Sequence, residues 1–189
     1  MRDGVRLAAD IYLPERCDGP LPVLLERTPY DRRGTSHADC TLADPVPRSK
    51  PRMAATFAAG GYVYVLQDCR GRYGSEGEFT KYANEAEDGY DTLAWLMAQP
   101  WCDGRIGTLG LSYGAHVQAA AACLAALFMD SGGFSSAFHS GVRQGGAFEL
   151  KQLTWATKHA RLAPASLADP VRLAALEAED IRDWIGVNP

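Results

Sequence analysis

The chain has 189 residues, of which 47% are hydrophobic and 22% charged, and its formal net charge at pH 7 is −4. These proportions are typical of a globular protein with one ordinary hydrophobic core, and they argue against a disordered chain. The acidic balance argues against a general nucleic-acid-binding protein, which carries a basic excess. No apolar run approaches the ~20 residues that cross a bilayer, and the first ten residues, MRDGVRLAAD, include no apolar segment typical of a secretory signal. We therefore expect a cytoplasmic protein whose partners include neither nucleic acid nor a membrane.

The cysteines and histidines do not predict a metal site or a disulfide framework. The five cysteines are widely spaced and include no CxxC pair: Cys17, Cys40, Cys69, Cys102 and Cys123. Their odd number and irregular spacing favour a reducing compartment. The four histidines are scattered and lack carboxylates at ligand spacing, so we expect no bound metal.

The first half of the chain contains three strand signals and one helix signal. VRLAADIYLP alternates apolar and polar residues, which is typical of a half-buried strand that ends at Pro14. PVLLER (22–27) and GYVYVLQD (61–68) are short, continuous apolar runs suited to strands that are covered on both faces. Between these two runs, PRMAATFAAGG predicts a short helix that ends at Gly60.

A second helix is predicted from Asn84 to Ala98. Asn84 can cap it, and Glu87 follows at the capping-box position. The carboxylates of Glu85 and Asp88 complement the positive end of the helix dipole. The predicted apolar stripe consists of Tyr90, Leu93, Ala94, Leu96 and Met97.

The remainder divides into a further strand–helix–strand unit and a different C-terminal region. RIGTLG predicts a strand, AHVQAAAACLAA a helix, and LAALFMD a continuation into another strand. Alternation from about residue 22 to 130 predicts an α/β fold, with a mostly parallel sheet flanked by helices. A Gly/Ser-rich loop follows, SGGFSSAFHSGVRQGGAF, and then two helical patterns, ELKQLTWATKHARLA and LADPVRLAALEAEDIRDWI. We predict a domain boundary between segments 1–132 and 133–189.

The stretch GLSYG (110–114) is a candidate nucleophile elbow centred on Ser112. A serine hydroxyl reacts only when a neighbouring base takes its proton, and a sharp strand-to-helix turn exposes it to substrate. Side chains at Gly110 and Gly114 are expected to clash in such a turn. The five-residue pattern alone is weak, but an apolar strand precedes it and an alanine-rich helix follows it. The alternative is a glycine-rich turn with an incidental serine.

Two groups are candidates for stabilising an oxyanion beside Ser112. One is the backbone N–H of the next residue, Tyr113. The second donor is expected from the loop RTPYDRRG (27–34), where Tyr30 follows the conformationally restricted Pro29. The residues alone leave open whether Tyr30 serves this role or only packs over the sheet edge.

Several segments together resemble one family. They are MRDGVRLAADIYLP, RTPYD, QDCRGRYGSEGEF, EAEDGYDTLAWLMAQPWCDGRIGTLGLSYGA and DSGGFSSAFHSGVRQGGAFELKQLTWA. In this order they are similar to the CocE/NonD hydrolases, the X-Pro dipeptidyl-peptidase and cocaine esterase type. The resemblance implies the N-terminal portion of an α/β-hydrolase fold with a helical cap inserted after the sixth strand.

The same resemblance implies roles for individual residues. Ser112 matches the nucleophile, Tyr113 the donor of a backbone amide to the oxyanion, and Tyr30 the donor of a phenol. Asp68, together with Arg70 and Ser75, falls in a loop that we interpret as structural. No cofactor is implied.

The family places the triad acid and histidine beyond the cap, so we expect both outside this chain. His116 would project from the side of its helix rather than face Ser112. The order Ser112, Asp130 and then His139 or His159 is formally allowed. However, the interval after Asp130 is too short for another strand before His139, and His159 lies on a helix whose charged neighbours indicate a solvated face.

Three hypotheses follow. The first is a serine hydrolase that cleaves a small-molecule ester or amide, or a short peptide, through an acyl-enzyme. The second is a catalytically inactive, truncated fragment of such a hydrolase, with an exposed sheet edge. The third, a non-enzymatic binding module, would leave the elbow without a use. The identity of the substrate and the oligomeric state are left open.

Overall fold

A computed structural model describes residues 1–35, 45–121, 126–130, 143–144, 147–148 and 167–178. The chain divides into two compact units, Met1–Phe134 and Ser135–Pro189. The division falls close to the predicted boundary after residue 132. That the second unit belongs to a helical cap stays a prediction.

The first unit is built on a five-stranded sheet. Its strands are β1 (Ala9–Tyr12), β2 (Leu21–Thr28), β3 (Val63–Asp68), β4 (Cys102–Leu111) and β5 (Ala126–Asp130). They lie in the order β1-β3-β2-β4-β5. β1 pairs antiparallel with β3, and the other pairings are parallel. The predicted α/β class with a mostly parallel sheet is therefore confirmed.

Three helices connect the successive parallel strands: α1 (Lys50–Ala59), α2 (Glu85–Met97) and α3 (Tyr113–Ala120). At the start of α1, Ser49 Oγ accepts a hydrogen bond from the Arg52 backbone N–H at 3.4 Å, and Gly60 caps its end. A single residue separates the end of β4 at Leu111 from the start of α3 at Tyr113. Ser112 alone forms the turn between them.

The hydrophobic core lies on both faces of the sheet, because side chains alternate along β2 and β3. On one side of the sheet, the core between the strands and α2 consists of Val23, Leu25, Val63, Val65, Leu93, Leu96, Ile106 and Ala121. On the other side, the core between the strands and α1 consists of Ala54, Tyr64 and Leu66. Adjacent residues at the end of β2 therefore face opposite sides of the sheet.

Two expectations for α2 are wrong. Leu93 and Leu96 are buried as predicted. The other three members of the predicted stripe are exposed because they lie on the solvent side of the helix: Tyr90 (59%), Met97 (54%) and Ala94. The side chain of Asn84 makes no capping hydrogen bond. Its φ of −108° and ψ of 6° differ from the extended backbone that normally aims a capping oxygen at the first turn.

The second unit contains α4 (Pro170–Ala178) and two short antiparallel strands, β6 (Arg143–Gln144) and β7 (Ala147–Phe148). α4 confirms part of the last predicted helix, whereas β6 and β7 occur in a segment predicted as loop. The predicted helix ELKQLTWATKHARLA lies outside the described residues. None of the helices in the described ranges is long and apolar enough to span a membrane.

Candidate active site

Ser112 occupies a strained turn between β4 and α3. Its φ is 57° and its ψ is −111°, a conformation that side-chain-bearing residues seldom adopt. Such backbone strain costs about 1–3 kcal/mol and concentrates at functional sites. Ser112 is also exposed, although the next three residues are buried. The turn therefore presents the hydroxyl to solvent, as an elbow requires.

The two flanking glycines differ in how closely they are packed. A Cβ on Gly110 would lie 2.7 Å from the backbone carbon of Gly114, so the turn has no room for it. A Cβ on Gly114 would make only an ordinary contact of 3.5 Å with the Arg27 carbonyl oxygen. The predicted clash is confirmed at Gly110 and wrong at Gly114.

The structure brings the three predicted site residues together. The Tyr30 hydroxyl donates a hydrogen bond to Ser112 Oγ at 3.2 Å. The Tyr113 backbone N–H donates to the Tyr30 hydroxyl at 3.4 Å. The phenol oxygen of Tyr30 therefore links the Tyr113 amide to the serine hydroxyl, and the three groups come from two distant segments of the chain.

Two buried side chains hold the loop that carries Tyr30. Asp68 Oδ1 accepts a 2.8 Å hydrogen bond from the Arg32 backbone N–H, and its other oxygen pairs with the Arg32 guanidinium. Arg72, which is 1% exposed, donates from Nε to the Pro29 carbonyl at 3.1 Å. Tyr30 thus lies between two anchored residues.

Asp68, Arg70 and Ser75 make the contacts of a structural loop. The Ser75 hydroxyl donates to the Asp68 carbonyl at 2.8 Å, and Arg70 Nε donates to Asp88 Oδ2 at 2.9 Å. Burial raises the pKa of Asp68, although its hydrogen bonds from Arg32 favour the ionised form.

The side chain of Tyr113 is anchored below the turn, which the sequence did not predict. Its hydroxyl donates to Glu85 Oε1 at 2.9 Å and accepts from the Tyr82 backbone N–H at 2.8 Å. Glu85 in turn pairs with Arg27 at 3.1 Å. The sequence contains one signal for this contact. Arg27 lies at the end of the apolar run PVLLER, and a buried arginine requires a partner.

His116 packs against aromatic rings. Its ring centroid lies 5.1 Å from that of Tyr82 and 6.5 Å from that of Tyr113. Burial and the nearby charge of Lys81 lower the pKa of His116, so the neutral imidazole predominates at pH 7. These contacts agree with the expectation that His116 projects to the side of the helix.

Of the other residues considered for a triad, His139 and His159 lie outside the described residues. The Asp130 backbone pairs with Leu111 at the carboxyl end of β5, and its side chain is likewise outside the described part.

Comparison with known proteins places this geometry in a family. The profile of the X-Pro dipeptidyl-peptidase (S15) family matches residues 3–183. The chain belongs to the X-Pro dipeptidyl-peptidase (S15) family. It is also 43% identical over 113 residues to cocaine esterase from Rhodococcus sp. (strain MB1 Bresler), a match that covers 60% of this chain and 18% of the esterase. The chain therefore spans less than a fifth of that relative's length.

Solved structures support the same fold. A CocE/NonD family hydrolase from Staphylococcus aureus superposes with a TM-score of 0.56 at 30% identity, over 67% of this chain and 25% of that one. An alpha/beta hydrolase from Penicillium sp. sh18 superposes with a TM-score of 0.53 at 21% identity, over 85% of this chain and 52% of the other, which indicates a shared fold. The predicted CocE/NonD resemblance and α/β-hydrolase fold are confirmed.

Proposed function

We propose that this protein is a serine hydrolase that cleaves an ester or amide bond through an acyl-enzyme. Ser112 is the nucleophile, and the Tyr30 hydroxyl and Tyr113 backbone N–H stabilise the oxyanion. The observation that carries this proposal is the 3.2 Å hydrogen bond from the Tyr30 hydroxyl to the exposed Ser112 Oγ, with the Tyr113 backbone N–H 3.4 Å from the same phenol oxygen. Membership of the S15 family supports it.

The proposed reaction uses Ser112 as the nucleophile and the two hydrogen-bond donors as stabilisers of negative charge. Ser112 Oγ attacks the substrate carbonyl carbon while a general base takes its proton, and the carbonyl electron pair moves onto oxygen. That oxyanion accepts hydrogen bonds from the Tyr30 hydroxyl, which contacts Ser112 Oγ in the free site, and from the Tyr113 backbone N–H, which lies beside the Tyr30 hydroxyl there. Its collapse expels the alcohol or amine, which takes the proton. Water then attacks the acyl-serine and regenerates the hydroxyl.

We assign the general base and its acid to residues outside the described part of the chain. His116 does not fit the role of base, because its ring packs against Tyr82 and Tyr113. An orienting acid completes a triad by holding the imidazole in the productive tautomer.

The proposed substrate is an acyl compound, which is either a small-molecule ester or amide, or a short peptide. The name of the cocaine esterase relative favours an ester, and the name of the X-Pro dipeptidyl-peptidase family favours a peptide. Both reactions pass through the same oxyanion.

A fluorophosphonate probe tests the nucleophile directly, because it forms a covalent bond only with an activated serine. In the full-length gene product we expect labelling that Ser112→Ala abolishes. Ser49→Ala is the matched control, since Ser49 caps α1 and has no role in the proposed reaction. Labelling that persists in Ser112→Ala would contradict the assignment.

A further inference from the structure

A chain of buried polar contacts connects three elements beneath Ser112. Arg27 is the penultimate residue of β2, Glu85 begins α2 and Tyr113 begins α3, and their exposures are 4%, 6% and 2%. Arg27 donates to the Glu85 carboxylate at 3.1 Å and to the Glu85 carbonyl at 3.0 Å. The Tyr113 hydroxyl completes the chain at 2.9 Å. We call these three residues the α3 cluster.

The α3 cluster fixes Tyr113 at both of its ends. Its backbone N–H points toward the Tyr30 hydroxyl, whereas its phenol is held by Glu85 and by the Tyr82 N–H. The Tyr82 ring stacks on the Tyr113 ring at 5.0 Å, with an angle of 10° between the planes. Rotation of the first turn of α3 would break these contacts.

Local helix signals do not hold this turn by themselves. α3 has eight residues, and the Ser112 side chain makes no capping hydrogen bond. An eight-residue helix is marginal without tertiary contacts. The orientation of the Tyr113 amide therefore depends on where its side chain is anchored.

We propose that Glu85, held by Arg27, is a positioning residue that aims the Tyr113 backbone N–H at the oxyanion formed on Ser112. This inference rests on the proposed function and assigns a catalytic consequence to a buried ion pair that touches no substrate. Loss of the anchor should weaken transition-state stabilisation more than substrate binding, because the oxyanion exists only after attack.

The opposite face of the sheet provides a matched control. There, the Tyr64 hydroxyl donates to Glu26 Oε2 at 3.1 Å, and Lys50 pairs with the same carboxylate. Tyr64 is fully buried, and this α1 cluster (Glu26, Lys50, Tyr64) connects α1 and β3 to β2. Its chemistry resembles that of the α3 cluster, but it does not include the elbow.

The experiment compares Tyr113→Phe with Tyr64→Phe in the full-length gene product. For each, we measure Tm, the fluorophosphonate labelling rate and the kcat and KM for a p-nitrophenyl ester. Both variants should lower Tm. Tyr113→Phe should also lower the labelling rate and kcat about tenfold, with KM changed less than about twofold, because a displaced donor still provides part of its effect. Tyr64→Phe should leave both rates unchanged.

Glu85→Gln is the second variant and carries the test if Tyr113→Phe does not fold. It keeps an oxygen acceptor for Tyr113 but loses the charge that fixes Arg27, so we expect a kcat reduced about fivefold at similar KM. Wild-type rates in Tyr113→Phe, or equal losses in Tyr64→Phe, would overturn the inference alone. A wild-type protein that takes no label would overturn the proposed function and the inference with it.

Discussion

The two faces of the sheet carry the same kind of buried cluster with different consequences. Adjacent residues of β2, Glu26 and Arg27, point to opposite faces, and each is paired with an opposite charge. In both pairs the carboxylate accepts a hydrogen bond from a tyrosine hydroxyl. The α1 cluster attaches a helix that covers the core, and the α3 cluster attaches the helix that begins beside Ser112. A buried ion pair therefore does not identify an active site, and the backbone to which it is attached decides its role.

The largest effect is expected from breaking the α1 cluster. Lys50→Met leaves the Glu26 carboxylate buried without a cation, which typically costs about 3–5 kcal/mol. Urea unfolding measures this loss of stability. Because the α1 cluster does not reach the elbow, kcat per folded molecule should stay unchanged. A second substitution, Glu26→Gln, removes the unpaired charge and should recover part of the loss.

The next largest effect is expected at Tyr30. Tyr30→Phe removes one oxyanion donor, a change that lowers kcat by about 10²–10³-fold in comparable sites. Steady-state kinetics with a p-nitrophenyl ester measure it, and Tyr62→Phe, at an exposed ring, is the control. If kcat fell less than about threefold, the phenol would not be an oxyanion donor.

Substitution of each elbow glycine by alanine tests whether close packing, rather than any change in the turn, destabilises the protein. Gly110→Ala introduces a Cβ 2.7 Å from the Gly114 backbone and should cost about 1–3 kcal/mol by overpacking, with loss of labelling. Gly114→Ala introduces only an ordinary contact, and alanine is the better helix former, so stability should be maintained. Thermal unfolding of the two variants tests this; equal destabilisation would refute the difference in packing.

An exposed ion pair should contribute less than either cluster. The Arg2 guanidinium lowers the pKa of Asp91 to about 2 through hydrogen bonds, but the pair faces solvent. Because the folded-state pKa lies below the ordinary value of 3.8, the stabilisation is present above about pH 4 and is lost as the pH falls through about 2. Asp91→Asn should lose less than about 1 kcal/mol at pH 7, and less in high salt. A difference that stays constant from pH 7 to pH 2 would contradict this origin.

Local patterns in the sequence predicted the sheet and the elbow. The runs PVLLER and GYVYVLQD are apolar over their whole length because both faces of their strands are covered, so burial is visible in the residues themselves. The elbow is likewise a short-range feature, since Gly110 and Ser112 lie between an apolar strand and a helix. These signals need no knowledge of distant contacts.

What could not be predicted depends on contacts between distant residues. The partner of Glu85 is Arg27, 58 positions earlier, so its sequence neighbours suggested only a helix-dipole role. Whether Tyr90 is exposed depends on which side of α2 packs against the sheet. The apolar residues of α2 extend over two adjacent sides of the helix, so their spacing alone does not identify the buried side. The space available for a Cβ at Gly114 depends on the position of the Arg27 carbonyl oxygen in β2, which is distant in sequence.

If the proposed function holds, Ser112 carries the acyl group during turnover. Peptide mapping by mass spectrometry, after the full-length gene product is treated with a fluorophosphonate, identifies the residue that reacts. We predict a single adduct on Ser112, formed more slowly in Tyr30→Phe. An adduct on a different residue, or an unmodified Ser112 in a protein that hydrolyses esters, would contradict it.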